Sequence, residues 1–356
     1  MKTTDRSFQV AQGFLLAAKG FWTTTMFKRL HAEYAEQCAL QQKAPQTVPE
    51  VAEIVEGLTT YRYFAWLERH LQSAKYSGRY GLVPYYRQRQ DEALGKLEGD
   101  NESVLQLDPA LEMPAYYVAT DIHQHPGGVW SEPTAGLAYE HGARTTTPLL
   151  GQTHADLHTR FTDHVAALGE PRRVLDMGCG FGKSTLPFAR RFPASKVEGV
   201  DLSAPCLKVA AHAALSENLH NVIFRQSNAA ETLAGEEGGF DLVTSTMLLH
   251  EMPPRVLGQV LDESFRSLEP GGRMVHLDFW HLPDPFTRFL HYGHGRRNNE
   301  PYMQPLAELD LPELLSQKGF VDIEIEPFSE VGGTATDAEA WRFPWTVISA
   351  RKPLET

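Results

Sequence analysis

The stretch Val174-Leu-Asp-Met-Gly-Cys-Gly-Phe-Gly182 decides how this chain is read. Val174–Met177 has the texture of a buried strand, glycines follow at every second position, and Lys183–Phe192 carries helical spacing. Glycine tolerates positive φ and lets a backbone come close to a ligand, so a strand, a turn and a helix start here form a cradle. The spacing is Gly-x-Gly-x-Gly with Asp176 two residues before Gly178, whereas pyrophosphate-binding turns use Gly-x-Gly-x-x-Gly. A ligand without phosphates fits this spacing better, and an acid at Asp176 suits an ammonium group.

Working outward, the next strand, Lys196–Asp201, ends in a second acid 25 residues after the first. A carboxylate at that strand end can accept both hydroxyls of a ribose. Ser203 is the natural cap of the helix Ala204–Ser216 that follows. Strand and helix then keep alternating: strands Val222–Gln226, Phe240–Thr244 and Arg273–Asp278, with helix Pro254–Leu268 before the last of them. Helix Leu306–Lys318 and the strands Phe320–Pro327 and Trp345–Arg351 close the series as an antiparallel pair, and helix Gln152–Leu168 precedes it. The predicted fold is α/β: a Rossmann-like seven-stranded sheet with helices on both faces.

Before residue 151 the texture differs. Phe8–Lys19, Phe27–Gln42, Val48–Glu56 and Tyr61–Ala74 read as helices, and Thr47 with Glu50 matches a capping box. This gives a mainly helical N-terminal domain over residues 1–150, in which 98–150 is a less regular, pocket-lining segment. Phe14, Phe21, Trp22, Tyr61, Tyr63, Phe64 and Trp66 are expected in its core. Within the second domain, 151–356, the run 280–305 is read as an irregular lid, rich in aromatic and polar groups.

The chain has 356 residues, 42% apolar and 22% charged, ordinary values for a globular protein. A net charge of −12 speaks against a nucleic-acid partner. Three scattered cysteines form neither a disulfide framework nor a zinc pattern, and Phe14–Ala18 is too short an apolar run for a membrane span. A cytoplasmic protein without a membrane anchor is expected.

The two acids and the glycine turn, with Gln226-Ser-Asn-Ala229, Phe240–His250 and Leu268-Glu-Pro-Gly-Gly-Arg273 in order behind them, resemble the class I S-adenosylmethionine-dependent methyltransferases, small-molecule branch. The resemblance covers 152–351. It implies that Asp176, Gly178 and Gly180 surround the methionine part of S-adenosylmethionine and that Asp201 holds the ribose. It further implies that Leu202 packs on adenine, that Asn228 and Ala229 edge it, and that Thr246 and Tyr139 lie near the amino-acid end. Asn228 stands where the family usually has Asp, and its amide oxygen can still accept from the adenine amine. Arg144 is a second candidate for the cofactor carboxylate. The Asn/Asp-Pro-Pro-aromatic motif of nucleobase methylation is absent, so the expected partner is a small-molecule substrate. Two other uses of the fold remain open, aminopropyl transfer and cofactor sensing without catalysis.

Methyl transfer from an activated sulfonium needs a base only when the acceptor carries a proton. His250, just after the fourth core strand, is a candidate base, and His125 is a second. Asp121, His123 and His125 would share one face of an extended segment, a set able to bind a transition metal; pocket lining is the preferred reading, and no metal is assigned. His123, His281, Tyr292, His294 and Arg296, with Arg297 beside it, are expected to touch the acceptor. The N-terminal domain is expected to cover the pocket or to join two copies into a homodimer.

Overall fold

The computed structural model describes residues 6–99, 101–144, 154–232, 238–329, 340–341 and 344–354. The expected boundary at 150/151 falls outside them. The strands are β1 (Leu105–Gln106), β2 (Arg173–Met177), β3 (Lys196–Asp201), β4 (Val222–Gln226), β5 (Phe240–Thr246), β6 (Leu268–Asp278), β7 (Val321–Pro327) and β8 (Thr346–Arg351). They form one sheet in the order β1-β4-β3-β2-β5-β6-β8-β7. All neighbours pair in parallel except β8, which runs antiparallel between β6 and β7. The expected seven strands are present. The eighth, β1, was missed because two residues carry no periodicity; it is fixed only by pairing with β4.

Alternation along the strands builds the two faces. Val174, Val197, Leu242 and Val275 point into one core with Leu157, Phe188 and Leu207. Leu175, Met177, Val200, Val243 and Met274 point into the other with Leu257, Leu261 and Leu311. The order reverses at β2, whose neighbours are β3 and β5. In open α/β sheets ligands bind beyond the carboxyl ends of the strands at such a switch point.

The N-terminal helices are Arg6–Phe21, Phe27–Leu40, Val48–Val55 and Thr59–Tyr76, close to the predicted spans. The first two are joined through a π-turn at Trp22–Met26. Thr23 and Thr24 hydroxyls donate there to the Lys19 and Gly20 carbonyls, a competition with the main chain that loosens the helical ladder. Thr47 and Glu50 form the expected capping box.

Several sequence expectations give way. The run 280–305 is not irregular: Pro285–Asn298 is a helix, capped by Asp284. Its mixed face obscured the helical period, since Phe286, Phe289 and Leu290 face not the sheet but the core of Leu30, Val51, Val55 and Phe64. The two halves of the chain thus share a hydrophobic cluster. The single helix expected over 306–318 is two, Met303–Glu308 and Leu311–Gln317, because Asp310 caps a fresh start. Trp22, Tyr61 and Phe64 are buried as expected, whereas Phe14, Phe21, Tyr63 and Trp66 lie on outward faces and are more than half exposed. Cys38, Cys179 and Cys206 are free. Among the described residues no helix is long and apolar enough to cross a membrane.

Candidate active site

The turn after β2 is built from positive φ: Gly178 at 67°, Gly180 at 52° and Gly182 at 82°. A Cβ on Gly178 would sit 2.5 Å from Leu248 Cδ1, while one on Gly180 would meet nothing nearer than the Tyr139 ring at 4.0 Å. Gly180 therefore faces open space, and the turn is closed on its Gly178 side. Asp176 is completely buried beneath it. Its Oδ2 accepts from the Ser184 and Thr185 hydroxyls, both at 2.6 Å, and its Oδ1 has no partner. Burial pushes the Asp176 carboxyl up to about 6, against the two hydroxyl donors.

Asp201 closes β3 on the other side of the turn. Its Oδ2 accepts the Gly180 N–H at 2.9 Å and its Oδ1 the Ser203 N–H at 2.7 Å, so two amides fix its plane. Burial raises this carboxyl despite those bonds. Ser203 caps the following helix through the Cys206 N–H, as expected, and also donates to the Val129 carbonyl. Leu202 offers its carbonyl to Gln226 Nε2. Asn228 uses its side-chain oxygen in a tight turn to the Ala230 N–H, with Ala229 between them. Thr246, at the end of β5, has a buried hydroxyl without a partner.

Tyr139 reaches the turn from the helix Ala135–Ala143, packing edge-on against Phe181 at 5.4 Å. That helix crosses the one starting at Ala204 backbone to backbone: a Cβ on Gly136 would fall 2.2 Å from the Pro205 carbonyl. Arg144, one turn on, is exposed and paired with Glu140.

Residues 174–272 match the family described as a methyltransferase domain. A demethylmenaquinone methyltransferase of Lactococcus lactis subsp. lactis is 38% identical across 43% of this chain and 67% of its own length. One from Geobacillus stearothermophilus is 30% identical across 44% of this chain and 74% of its own. The chain belongs to the class I S-adenosylmethionine-dependent methyltransferases. A further relative, the demethylmenaquinone methyltransferase of Lactiplantibacillus plantarum, is 33% identical across 36% of this chain and 49% of its own length, so the chain spans about half of that protein. S-adenosylmethionine is the cofactor, and the cradle fits it. The partnerless oxygen of buried Asp176 suits an ammonium, the clamped Asp201 suits a ribose, and the open face of Gly180 leaves room for backbone approach.

Beyond the cradle lies a chain of buried ionisable groups that the sequence did not reveal as a unit. His250 is held by Asp278, Nδ1 to Oδ1 at 2.6 Å, and its Nε2 lies 3.4 Å from Glu251 Oε1. Asp278 also takes the Leu249 and Phe279 N–H groups. Glu251 Oε1 lies 3.2 Å from His123 Nε2, and His123 Nδ1 lies 3.0 Å from Glu300 Oε1. His294 faces Glu300 at 3.7 Å and meets Glu68 at 2.5 Å, and Arg297 completes the row on Glu68. His123 also stacks on Tyr139 at 5.7 Å, which joins this row to the cradle. Against the cost of burial, Glu251 and Glu300 hold His123 up to about 9, and Asp278 and Glu251 hold His250 well above its ordinary value.

The expected acceptor residues therefore separate. His123 and His294 belong to the row. His281 and Arg296 are exposed, with Arg297 the arginine that turns inward. Tyr292 is buried, and the charged groups that bear on its hydroxyl are Glu308 and Arg288. His125 is buried against Tyr76, ring centres 4.7 Å apart, and burial lowers it to about 4. Asp121, His123 and His125 do not share a face. His123 and Gln124 take positive φ, and Asp121 caps the Gly127 N–H, so strand alternation does not apply. Asp278 had a sequence signal, an acid at the end of the strand segment Met274-Val-His-Leu277, as Asp176 follows Val174–Leu175. Glu68 and Glu300 had none; they are ordinary surface-type residues until the fold buries them.

Proposed function

We propose that this protein transfers the methyl group of S-adenosylmethionine to a small metabolite bound beyond the carboxyl ends of β5 and β6. When bound, S-adenosylmethionine supplies an electrophilic methyl carbon. The chain's task is then to position an acceptor and to keep water out. The reading rests on one observation above others, the Asp201 carboxylate clamped by the Gly180 and Ser203 amides beside an open glycine face. In this reading Asp176 and Thr246 take the ammonium end, Tyr139 the cofactor carboxylate, and Leu202, Asn228 and Ala229 the adenine edge. Residues 115–125 and helix Pro285–Asn298 cover the acceptor. Its small size is supported by the −12 charge and by relatives named for a quinone precursor.

His250 acts here as a positioning residue. Its ring lies between Asp278 and Glu251, both within reach of its nitrogens, so it holds Glu251 in place rather than offering a free lone pair. His125, packed on Tyr76 and held low by burial, supports the cover. The test is calorimetry with S-adenosylhomocysteine, followed by transfer of labelled methyl from S-adenosylmethionine to a panel of small acceptors. Binding without transfer to any acceptor would favour cofactor sensing; absence of binding would end the proposal.

Val10, Phe14 and Phe21 form an exposed stripe on helix Arg6–Phe21, and Tyr63 and Trp66 a second on Thr59–Tyr76. We propose that a second copy of the chain covers them, because apolar stripes of this kind mark association surfaces. Light scattering should give a dimer mass that Phe14→Asp lowers to the monomer.

A further inference from the structure

Among the described residues of the buried ionic row, two side chains keep an unmet polar atom, Arg297 Nη2 at the Glu68 end and Glu251 Oε2 at the end nearer β5, and of these only Glu251 follows the strand. Its Oε1 faces both His123 and His250, at 3.2 and 3.4 Å, and is fixed by them. Its Oε2 is buried and accepts nothing. A buried carboxylate oxygen without a donor costs ~1–3 kcal/mol or more, and in folded proteins it usually marks a place where water or a ligand belongs. The position supports a ligand. Glu251 follows β5 by five residues, Thr246 at the strand end also has an unmet hydroxyl, and both lie where open α/β sheets bind ligands. Glu251 and His123 are the most exposed members of the row, at 17% and 19%, while Glu68, Glu300 and Asp278 stay below 7%.

The surroundings set the chemistry. Tyr116, Tyr117 and Tyr139 lie within the field of the Glu251 and Asp201 carboxylates; burial, then these charges, pushes the Tyr116 hydroxyl up to about 12 and the other two well up. The His123 and His250 neighbours keep Glu251 ionised, so it can accept hydrogen bonds but not donate them. The arginines of the cover are already paired, Arg144 with Glu140 and Arg297 with Glu68. The His123 and His250 rings beside Glu251 already spend their nitrogens on carboxylates, so an anionic acceptor would meet the Glu251 charge with neither ring free to donate to it.

From this geometry we infer that Glu251 Oε2 is the anchor of the methyl acceptor, and that the acceptor presents an O–H or N–H group to it, neutral or cationic, rather than a carboxylate. The inference rests on the methyl-transfer reading above. It makes Glu251 the residue that selects the acceptor class. Aromatic walls beside a carboxylate also suit a cationic amine.

The test uses the full chain saturated with S-adenosylhomocysteine and three matched probes, phenol, benzylamine and benzoate, followed by ligand-observed NMR. Phenol or benzylamine should bind and benzoate should not. Glu251→Gln should weaken the donor probe by about tenfold, the value of one charge-assisted hydrogen bond, with S-adenosylhomocysteine affinity unchanged. Benzoate binding as tightly as the donors overturns the inference, as does binding of neither donor, or donor binding that Glu251→Gln leaves unaltered. If Glu251→Gln does not fold, as judged by its melting curve, the ranking of the three probes on the native chain decides alone. Failure of S-adenosylhomocysteine to bind would strike the methyl-transfer reading itself, and is seen before any probe is added.

Discussion

The glycine turn after β2 and the ionic row beneath the helical cover are both buried polar sites, but they are held together in opposite ways. The turn is local. Asp176 is satisfied by hydroxyls eight and nine residues on, and Asp201 by amides two residues ahead and 21 back. Backbone and short side chains do the holding, and Asp176 Oδ1 and Thr246 Oγ1 are left without partners. The row is long-range. Glu68 meets His294 and Arg297 across separations of 226 and 229 residues, and His123 meets Glu300 across 177. Its groups largely satisfy one another, with Glu251 Oε2 and Arg297 Nη2 the exceptions among the described residues. A site that reserves hydrogen-bonding capacity is built for a ligand, whereas one that consumes its own capacity is built to join segments.

The largest expected effect tests the joining role. Glu68→Ala leaves Arg297 buried without its partner and His294 with only the longer contact to Glu300, and should destabilise the chain by ~3–5 kcal/mol in urea unfolding, with S-adenosylhomocysteine affinity little changed. A matching fall in affinity would break the distinction between the two sites. Asp201→Ala should do the reverse. On the proposed ribose role, losing two hydrogen bonds to a charged group, each worth about 1.5 kcal/mol, should lower S-adenosylhomocysteine affinity by about 100-fold in calorimetry, with a smaller shift in melting temperature.

Gly178→Ala sharpens the comparison within the turn. It forces an L residue into positive φ and a Cβ toward Leu248, and should cost about 1–3 kcal/mol of stability. Adding Leu248→Ala should recover part of this and no more, because the φ penalty stays. Recovery in full would assign the whole effect to crowding.

The smallest effect is in pH. With His123 raised from 6.5 to about 9, the row's stabilisation is fully present below pH 6.5 and is lost as pH rises through 9. The turn responds at the other end. With Asp176 raised to about 6, the proposed pairing with the cofactor ammonium requires ionisation, so cofactor affinity should fall as pH drops through 6. Melting curves and calorimetry from pH 5 to 9.5 separate the two windows; a common window would mean that the sites titrate as one.

The same contrast explains what was legible beforehand. Asp176, Gly178, Gly180 and Asp201 stood out because glycine spacing and strand-end acids are features of neighbouring residues. The 280–305 helix escaped because its apolar side faces the N-terminal helices rather than its own sheet, so its pattern made sense only once Phe64 and Val55 were beside it. His281 and Arg296 were chosen for residue type and proved exposed; Arg297, one position on, is a hundred degrees around the helix and faces Glu68.

The sequence by itself determined the parallel sheet, the turn and the acids that flank it, since each depends on contacts within a few residues or on strand and helix periods. Only the tertiary structure decided that Glu68, His123, Glu251, His294 and Glu300 form one row, and that Glu251 Oε2 is left without a donor at the end of it nearer β5. The reason is physical: an isolated acid or histidine is soluble in any context, and it acquires a role only when burial removes water and leaves particular partners within 4 Å.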